Sequence, residues 1–179
     1  MAKAPATRIW INRGVFIALA FVIIVLQLVP LDMRPPRWPP PDVLLALTLA
    51  WVARRPDYLP VYLIAAVFLT TDLLFQRPPG LWAALVVILT ETVRTRARGI
   101  RNMPLALEWG TIAFGIVAIT LANRIVLAIL MTPQAPLGLT LIQMILTILI
   151  YPLVVFVAHY MFGVSRPALG EIDARGRRI

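Results

Sequence analysis

Six predominantly apolar segments fill the chain between residues 14 and 164, and only short polar stretches separate them. Leu, Ile, Val and Ala dominate these segments, as in transmembrane helices, which need about 20 apolar residues to cross roughly 30 Å of hydrocarbon. The predicted helices are residues 14–31, 43–53, 58–75, 81–92, 105–131 and 137–164. The pattern therefore predicts an all-α integral membrane protein, with a six-helix transmembrane domain over residues 14–164 between basic terminal segments, 1–13 and 165–179.

Prolines mark several of the predicted breaks. Residues 34–41 hold five prolines and cannot be helical, because each proline lacks an amide donor and restricts the residue before it. The first apolar segment resembles a signal peptide, but it is longer than usual and no small-residue cleavage site follows, so we expect a retained helix. Pro152 lies inside the last helix and should kink it, leaving the carbonyl one turn earlier in need of another partner.

The combined number of arginine and lysine residues alternates between high and low from one connection between helices to the next. The chain has 17 of them. Three precede the first helix, two lie at residues 54–55, four at 94–101 and four after residue 165, whereas the other connections hold only Arg34, Arg37 and Arg77. Because cytoplasmic loops are enriched in Lys and Arg, this distribution predicts that both termini are cytoplasmic. Three short loops should therefore lie on the outer side of the membrane.

The second and fourth segments are short for a crossing. About a dozen helical residues reach only roughly 18 Å, a length that also suits re-entrant or buried helices. However, arginines at their cytoplasmic ends can extend to the membrane surface, and Glu91 and Arg94 have the i,i+3 spacing of a helical ion pair. We expect six crossings, with one or two re-entrant segments as the alternative.

Composition narrows the possible functions. The chain is 60% hydrophobic with a net charge of +9, and its arginines lie beside predicted membrane ends rather than on one soluble face. That placement favours anionic lipid over nucleic acid as the partner. The candidate contacts for anionic lipid are Arg94, Arg96, Arg98 and Arg101.

Two ionisable residues lie inside predicted helices near the outer surface. Asp72 and Arg124 should lie at similar depth, so an ion pair between them would relieve the cost of burying each charge. Binding of a partner subunit, or transport, are the alternatives, because intramembrane charges often mark functional sites. Gln27, Asn123 and Gln143 are expected to hydrogen-bond between helices.

Catalysis is not expected. The chain lacks cysteine, and its only serine, Ser165, lies six residues after its only histidine, His159, an offset that separates them on a helix. No phosphate-binding loop or metal-ligand spacing is present, so no cofactor is predicted. The function should therefore depend on binding within or beside the membrane.

Three motifs resemble the MreD family of bacterial rod-shape-determining proteins. The first is Pro41-Asp42-Val43-Leu44-Leu45, with Trp51 closing the second segment. The second is Thr71-Asp72-Leu73-Leu74 followed by Pro79-Gly80-Leu81-Trp82-Ala83. The third is Tyr151-Pro152 in the last segment. The resemblance covers residues 14–164, and the size and number of helices agree with it.

This resemblance implies a scaffold of the cell-elongation complex in the bacterial cytoplasmic (inner) membrane. Such proteins bind the bitopic protein MreC and help couple MreB filaments to the transpeptidase and glycosyltransferase that build peptidoglycan in the lateral wall. The family is thought to share its fold with substrate-binding components of energy-coupling vitamin transporters, so a transporter subunit is the alternative function. Candidate structural or partner-binding residues are Trp38, Asp42, Asp72, Gly80, Tyr151 and Pro152, together with Arg124, which has no counterpart in the family and is a candidate because of its charge. The arginines at 94, 96, 98 and 101 are also candidate filament contacts. Trp38 is also explained as an ordinary interfacial aromatic.

Overall fold

A computed structural model describes residues 6–29, 39–101 and 105–162, with side chains over 9–29, 39–96 and 105–160. Within these ranges the chain forms six α-helices and a 3-10 turn at Pro56–Tyr58, and no strand. The helices are α1 (Ala6–Leu28), α2 (Val43–Arg54), α3 (Val61–Leu74), α4 (Leu81–Arg101), α5 (Leu105–Ile129) and α6 (Leu137–Phe162). The prediction of an all-helical protein is confirmed for these residues.

Three of the described helices, α1, α5 and α6, are long and apolar enough to cross a membrane. In α1 the suitable stretch is Ile9–Leu28, and in α6 it is Leu137–Tyr160. Helices α2 and α3 are apolar but shorter, with 12 and 14 residues. Helix α4 has 21 residues, but its second half is polar. Six crossings therefore stay a prediction.

The helix bounds differ from the predicted ones where polar residues are helical. Helix α1 begins at Ala6 instead of residue 14, and α4 continues to Arg101 instead of ending near residue 92. The expected ion pair in α4 is confirmed, since Arg94 Nε lies 2.7 Å from Glu91 Oε1. Hydropathy alone underestimates such helices because it does not register the turns that extend beyond the apolar core.

Helix α2 forms the centre of the bundle. Every residue from Leu44 to Arg54 is buried, and α2 packs most extensively against α6 and α4. Helix α1 covers it through Phe16, whose ring lies 5.6 Å from that of Trp51. A helix that is apolar on all sides is stable only when neighbours enclose it. The short α2 is therefore a core element.

Helix α2 begins inside the bundle rather than at its edge. The backbone N–H of Asp42 donates to Thr147 Oγ1 (2.9 Å), and the Gln143 side chain donates to the carbonyl of Pro40 (3.2 Å). Thr147 lies ten residues after the start of α6, about 15 Å along the helix axis. The chain thus reaches this depth before α2 starts, which accounts for the shortness of α2.

Basic residues from three predicted cytoplasmic segments meet at one end of the bundle, which we call the Arg54 end. Arg13 Nε donates to the carbonyl of Tyr58 (3.3 Å). Arg94 Nη1 donates to the carbonyl of Pro56 (2.8 Å), and its Nη2 to that of Leu59. At the opposite, Asp42 end, α2, α4 and α6 begin and α3 and α5 finish. The charge alternation in the sequence thus corresponds to two ends of one bundle.

Candidate functional site: a polar cavity at the Asp42 end

A cavity of about 480 Å³ lies between α2, α4, α5 and α6 at the Asp42 end. The connections 76–78 and 132–135 form its rim, while Leu45, Ile116 and Met144 line it deeper in the bundle. Its volume falls in the range of about 300–1,000 Å³ that is typical of small-molecule sites. Its wall carries charged, amide and aromatic side chains, of which the most distinctive are Asp42, Arg77, Trp82, Asn123, Arg124 and Gln143.

Arg124 connects the end of α5 to the start of α6. Its Nη1 donates to the carbonyl of Ala135 (3.1 Å) and to Thr140 Oγ1 (2.8 Å). Gln134 donates in turn to the carbonyl of Arg124 (3.2 Å). One guanidinium nitrogen therefore holds the loop, and the partly buried remainder of the group lines the cavity.

The predicted ion pair between Asp72 and Arg124 is wrong. The carboxylate of Asp72 is fully buried, and its Oδ2 accepts from the backbone N–H groups of Gly80 and Ala83, both at 3.1 Å. Unpaired N–H groups and the helix dipole at the start of α4 stabilise the negative charge without a cation. Gly80 has a φ of +86°, a backbone conformation that favours glycine. Asp72 and Gly80, both candidates from the sequence, therefore have structural roles in the same turn between α3 and α4.

A second polar cluster lies between the Arg54 end and the middle of α6. Arg54 Nη2 lies 3.4 Å from Glu108 Oε1, and the Tyr151 hydroxyl donates to the same oxygen (2.9 Å). Glu108 and Tyr151 are almost completely inaccessible, with 1% and 0% exposed. Glu108 was not among the residues predicted from the sequence, although a lone acidic residue near the start of an apolar helix is a detectable signal.

Pro152 leaves the carbonyl of Ile148 without a helical partner, as expected from the sequence. The indole Nε1 of Trp109 on α5 donates to that carbonyl at 2.8 Å. The proline thus creates an acceptor that joins α6 to α5 instead of only bending the helix. The adjacent Tyr151 donates to Glu108, which precedes Trp109 on α5. Both residues of the Tyr151-Pro152 motif therefore contribute to the contact between α5 and α6.

We expect Trp109→Phe to lower the unfolding free energy by about 1–3 kcal/mol, because it leaves the partly buried Ile148 carbonyl without a donor. Pro152→Ala returns an N–H to that carbonyl, so in its background Trp109→Phe should cost clearly less. Equilibrium unfolding in mixed detergent micelles, applied as a double-mutant cycle, measures the coupling. Equal costs in both backgrounds would mean that the indole bond does not serve the proline.

The remaining candidates fall into three groups. Asp42 starts α2, where its Oδ1 accepts from the N–H of Leu45 (2.9 Å), and it also lines the cavity. Arg94 is occupied by Glu91 and by the turn after α2, whereas Arg96 is exposed. Trp38 and the side chains of Arg98 and Arg101 lie outside the described residues.

The three amides have different environments from those expected. Gln143 bonds to the segment before α2 rather than to another helix, and Gln27 is exposed on α1. Asn123 lines the cavity and has no side-chain hydrogen bond to a described residue. These three amides therefore do not connect the helices directly, and the amide N–H donors of Asn123 have no acceptor among the described residues.

Within the described ranges, no group of three or more His, Cys, Asp or Glu residues could hold a metal ion. His159 is exposed, and its ring contacts that of Tyr160 edge-on, with centroids 5.1 Å apart. The cavity at the Asp42 end has one acidic and two basic side chains in its wall.

Searches against protein-family models, curated proteins and solved structures find no match to this chain. The described residues form an all-helical bundle with three helices able to cross a membrane and a polar cavity at one end. Together these features indicate a small helical membrane protein.

Proposed function

We propose that the protein is a non-catalytic membrane scaffold of the bacterial cell-elongation complex, which binds an MreC-like bitopic protein. It would help couple MreB filaments to the transpeptidase and glycosyltransferase of peptidoglycan synthesis and so support rod shape. The carrying observation is the turn from α3 to α4, where Asp72 bonds to Gly80 and Ala83. Two stretches of sequence that carry the MreD resemblance thus form one structural unit.

The proposal includes a topology with six crossings and both termini in the cytoplasm. In its support, Arg13, Arg54 and Arg94 gather at one end of the bundle, as cytoplasmic loops require. The opposite end, with the cavity, would then face outward. Cysteine accessibility tests this arrangement, because the chain has no natural cysteine. Asp57→Cys should be protected from an impermeant reagent in intact cells, and Pro133→Cys should react.

A scaffold of this kind would contact its partner through apolar helix surfaces. The side chains of Leu149, Leu153 and Phe156 on α6 are each more than half exposed. Helices α1 and α5 also present exposed apolar residues, including Phe21 and Ile125. In lipid, association of such surfaces depends on shape fit and a few hydrogen bonds rather than on exclusion of water.

Co-purification from the protein's own cells tests the scaffold. The tagged full chain, cross-linked in intact membranes, should retain an MreC-like protein, and depletion of the chain should turn rods into spheres. An unrelated tagged multi-pass protein at equal abundance is the control and should retain none. Normal rods after depletion, together with no MreC-like protein in the purified sample, would overturn the proposal.

A substrate-binding subunit of a vitamin or small-molecule transporter is the second candidate. The cavity of about 480 Å³ favours it, because a pure scaffold needs no such space. Loss of uptake of one vitamin on deletion, with cell shape unchanged, would support this candidate over the first.

A further inference from the structure

We infer that the cavity at the Asp42 end binds the anionic group, a phosphate or carboxylate, of a small amphipathic molecule, with Arg124 as its principal contact. The inference rests on the cavity alone and holds for either proposed function. It is based on the charges and hydrogen-bond donors of the cavity wall that have no partner among the described residues.

The charge balance of the wall is positive. Arg77 lies near enough to Asp42 to attract its carboxylate, so these two charges offset each other. One carboxylate oxygen of Asp72 accepts from the N–H groups of Gly80 and Ala83, the other has no hydrogen-bond partner among the described residues, and neither pairs with Arg124. Arg124 therefore has no acidic partner among the described residues. An uncompensated, partly buried cation inside a helix bundle is costly, and an anionic ligand would relieve that cost.

The unused hydrogen-bonding groups are mainly donors. Only Nη1 of Arg124 is bonded, which leaves Nε and Nη2 without an acceptor among the described residues. The indole Nε1 of Trp82 is buried and lies beside the Asp42 carboxylate without a well-formed hydrogen bond, and the Asn123 amide has no hydrogen-bond partner among the described residues. By contrast, the hydroxyls of Thr140 and Thr147 already donate to backbone carbonyls four residues earlier. A group rich in acceptors, such as phosphate or carboxylate, fits this set.

The inner part of the cavity is apolar. Leu45, Ile116, Leu127 and Met144 line it beside the polar groups. A fully hydrated inorganic anion would leave this surface without a partner, whereas an apolar body attached to the anionic group would cover it. Both a soluble metabolite and the headgroup region of an anionic phospholipid have this chemistry, and experiment can separate them.

Binding of octyl phosphate tests the inference. The full chain in nanodiscs of phosphatidylcholine should bind it saturably in calorimetry, after subtraction of empty nanodiscs, and should bind octanol at least about tenfold more weakly. Arg124→Gln should weaken octyl phosphate about 10- to 100-fold. Arg96→Gln, which alters an exposed arginine far from the cavity, should leave binding unchanged.

Two further variants guard against misfolding, because Arg124 also holds the loop before α6. Trp82→Phe removes one N–H and keeps an aromatic ring, and Asn123→Leu removes the free amide; each should weaken octyl phosphate several-fold. No saturable binding, equal binding of octanol, or wild-type affinity in folded Arg124→Gln would overturn the inference. Any of these results leaves the scaffold proposal standing, since that is tested by partner retention.

A second experiment distinguishes a phospholipid headgroup from a soluble metabolite as the source of the anionic group. Nanodiscs with equal phosphatidylglycerol and phosphatidylcholine are prepared, and lipid retained by the released protein is measured by native mass spectrometry. Retained phosphatidylglycerol that octyl phosphate displaces supports a headgroup ligand. Octyl phosphate binding without retained lipid supports a soluble ligand.

Discussion

Glu108→Leu should lower the unfolding free energy by about 3–5 kcal/mol, because it leaves a buried arginine without its counter-charge. Glu108 is the acidic partner of Arg54 among the described residues, and both side chains are more than nine-tenths buried. The Tyr151 hydroxyl also loses its acceptor. Equilibrium unfolding in mixed detergent micelles should show the loss as a lower midpoint.

The rescue by a second change distinguishes the lost pair from simple damage to packing. Arg54→Met in the Glu108→Leu background removes the isolated charge and should recover most of the stability, since apolar replacements of buried ion pairs are often neutral. Glu91→Leu is the matched control, because its pair with Arg94 is partly exposed and should be worth about 0–1 kcal/mol. If Arg54→Met deepens the loss, the ion-pair explanation is wrong.

Asp72→Leu should cost about 2–4 kcal/mol, because two backbone N–H groups at the start of α4 lose their acceptor. Asp72→Asn keeps an acceptor oxygen and should cost less, about 1 kcal/mol, for the lost charge at the helix terminus. Since Leu81 and Trp82 line the cavity from the same turn, octyl phosphate binding should fall more in Asp72→Leu than in Asp72→Asn.

Asp57→Leu is the control for Asp72, because Asp57 is exposed in the 3-10 turn at the opposite end of the bundle. Its replacement should change the unfolding free energy by less than about 0.5 kcal/mol. Comparable losses for the two leucine variants would contradict a role of Asp72 in holding the start of α4.

Hydrophobic patterning predicted the helices well where apolar residues fill them. The predicted start of α5 at residue 105 and of α6 at residue 137 agrees with the structure. The pattern was less accurate for α1 and α4, since their polar turns are helical without being apolar. The charge alternation also corresponds to real ends of the bundle, because it depends on loop position and not on packing.

The site was predictable only in part, because sequence gives depth along a helix but not the direction a side chain faces. Asp72 and Arg124 were expected to meet at equal depth, yet a nearer set of N–H groups occupies Asp72. The cavity depends on the chain entering the bundle before Asp42, a long-range arrangement without a local signal. The acceptor created by Pro152 was predictable, since it follows from covalent structure, but its donor Trp109 was not.

The central place of α2 constrains the order in which the protein can be completed during synthesis. Its chief neighbours, α4 and α6, leave the ribosome later, and α6 is the last of the described helices. In a nascent chain that stops before residue 137, the surface of α2 that packs against α6 is therefore uncovered. The backbone N–H of Asp42 also lacks its acceptor, Thr147. Closure of the bundle must wait for translation of α6, and until then the membrane insertion machinery or a chaperone is the natural cover for α2.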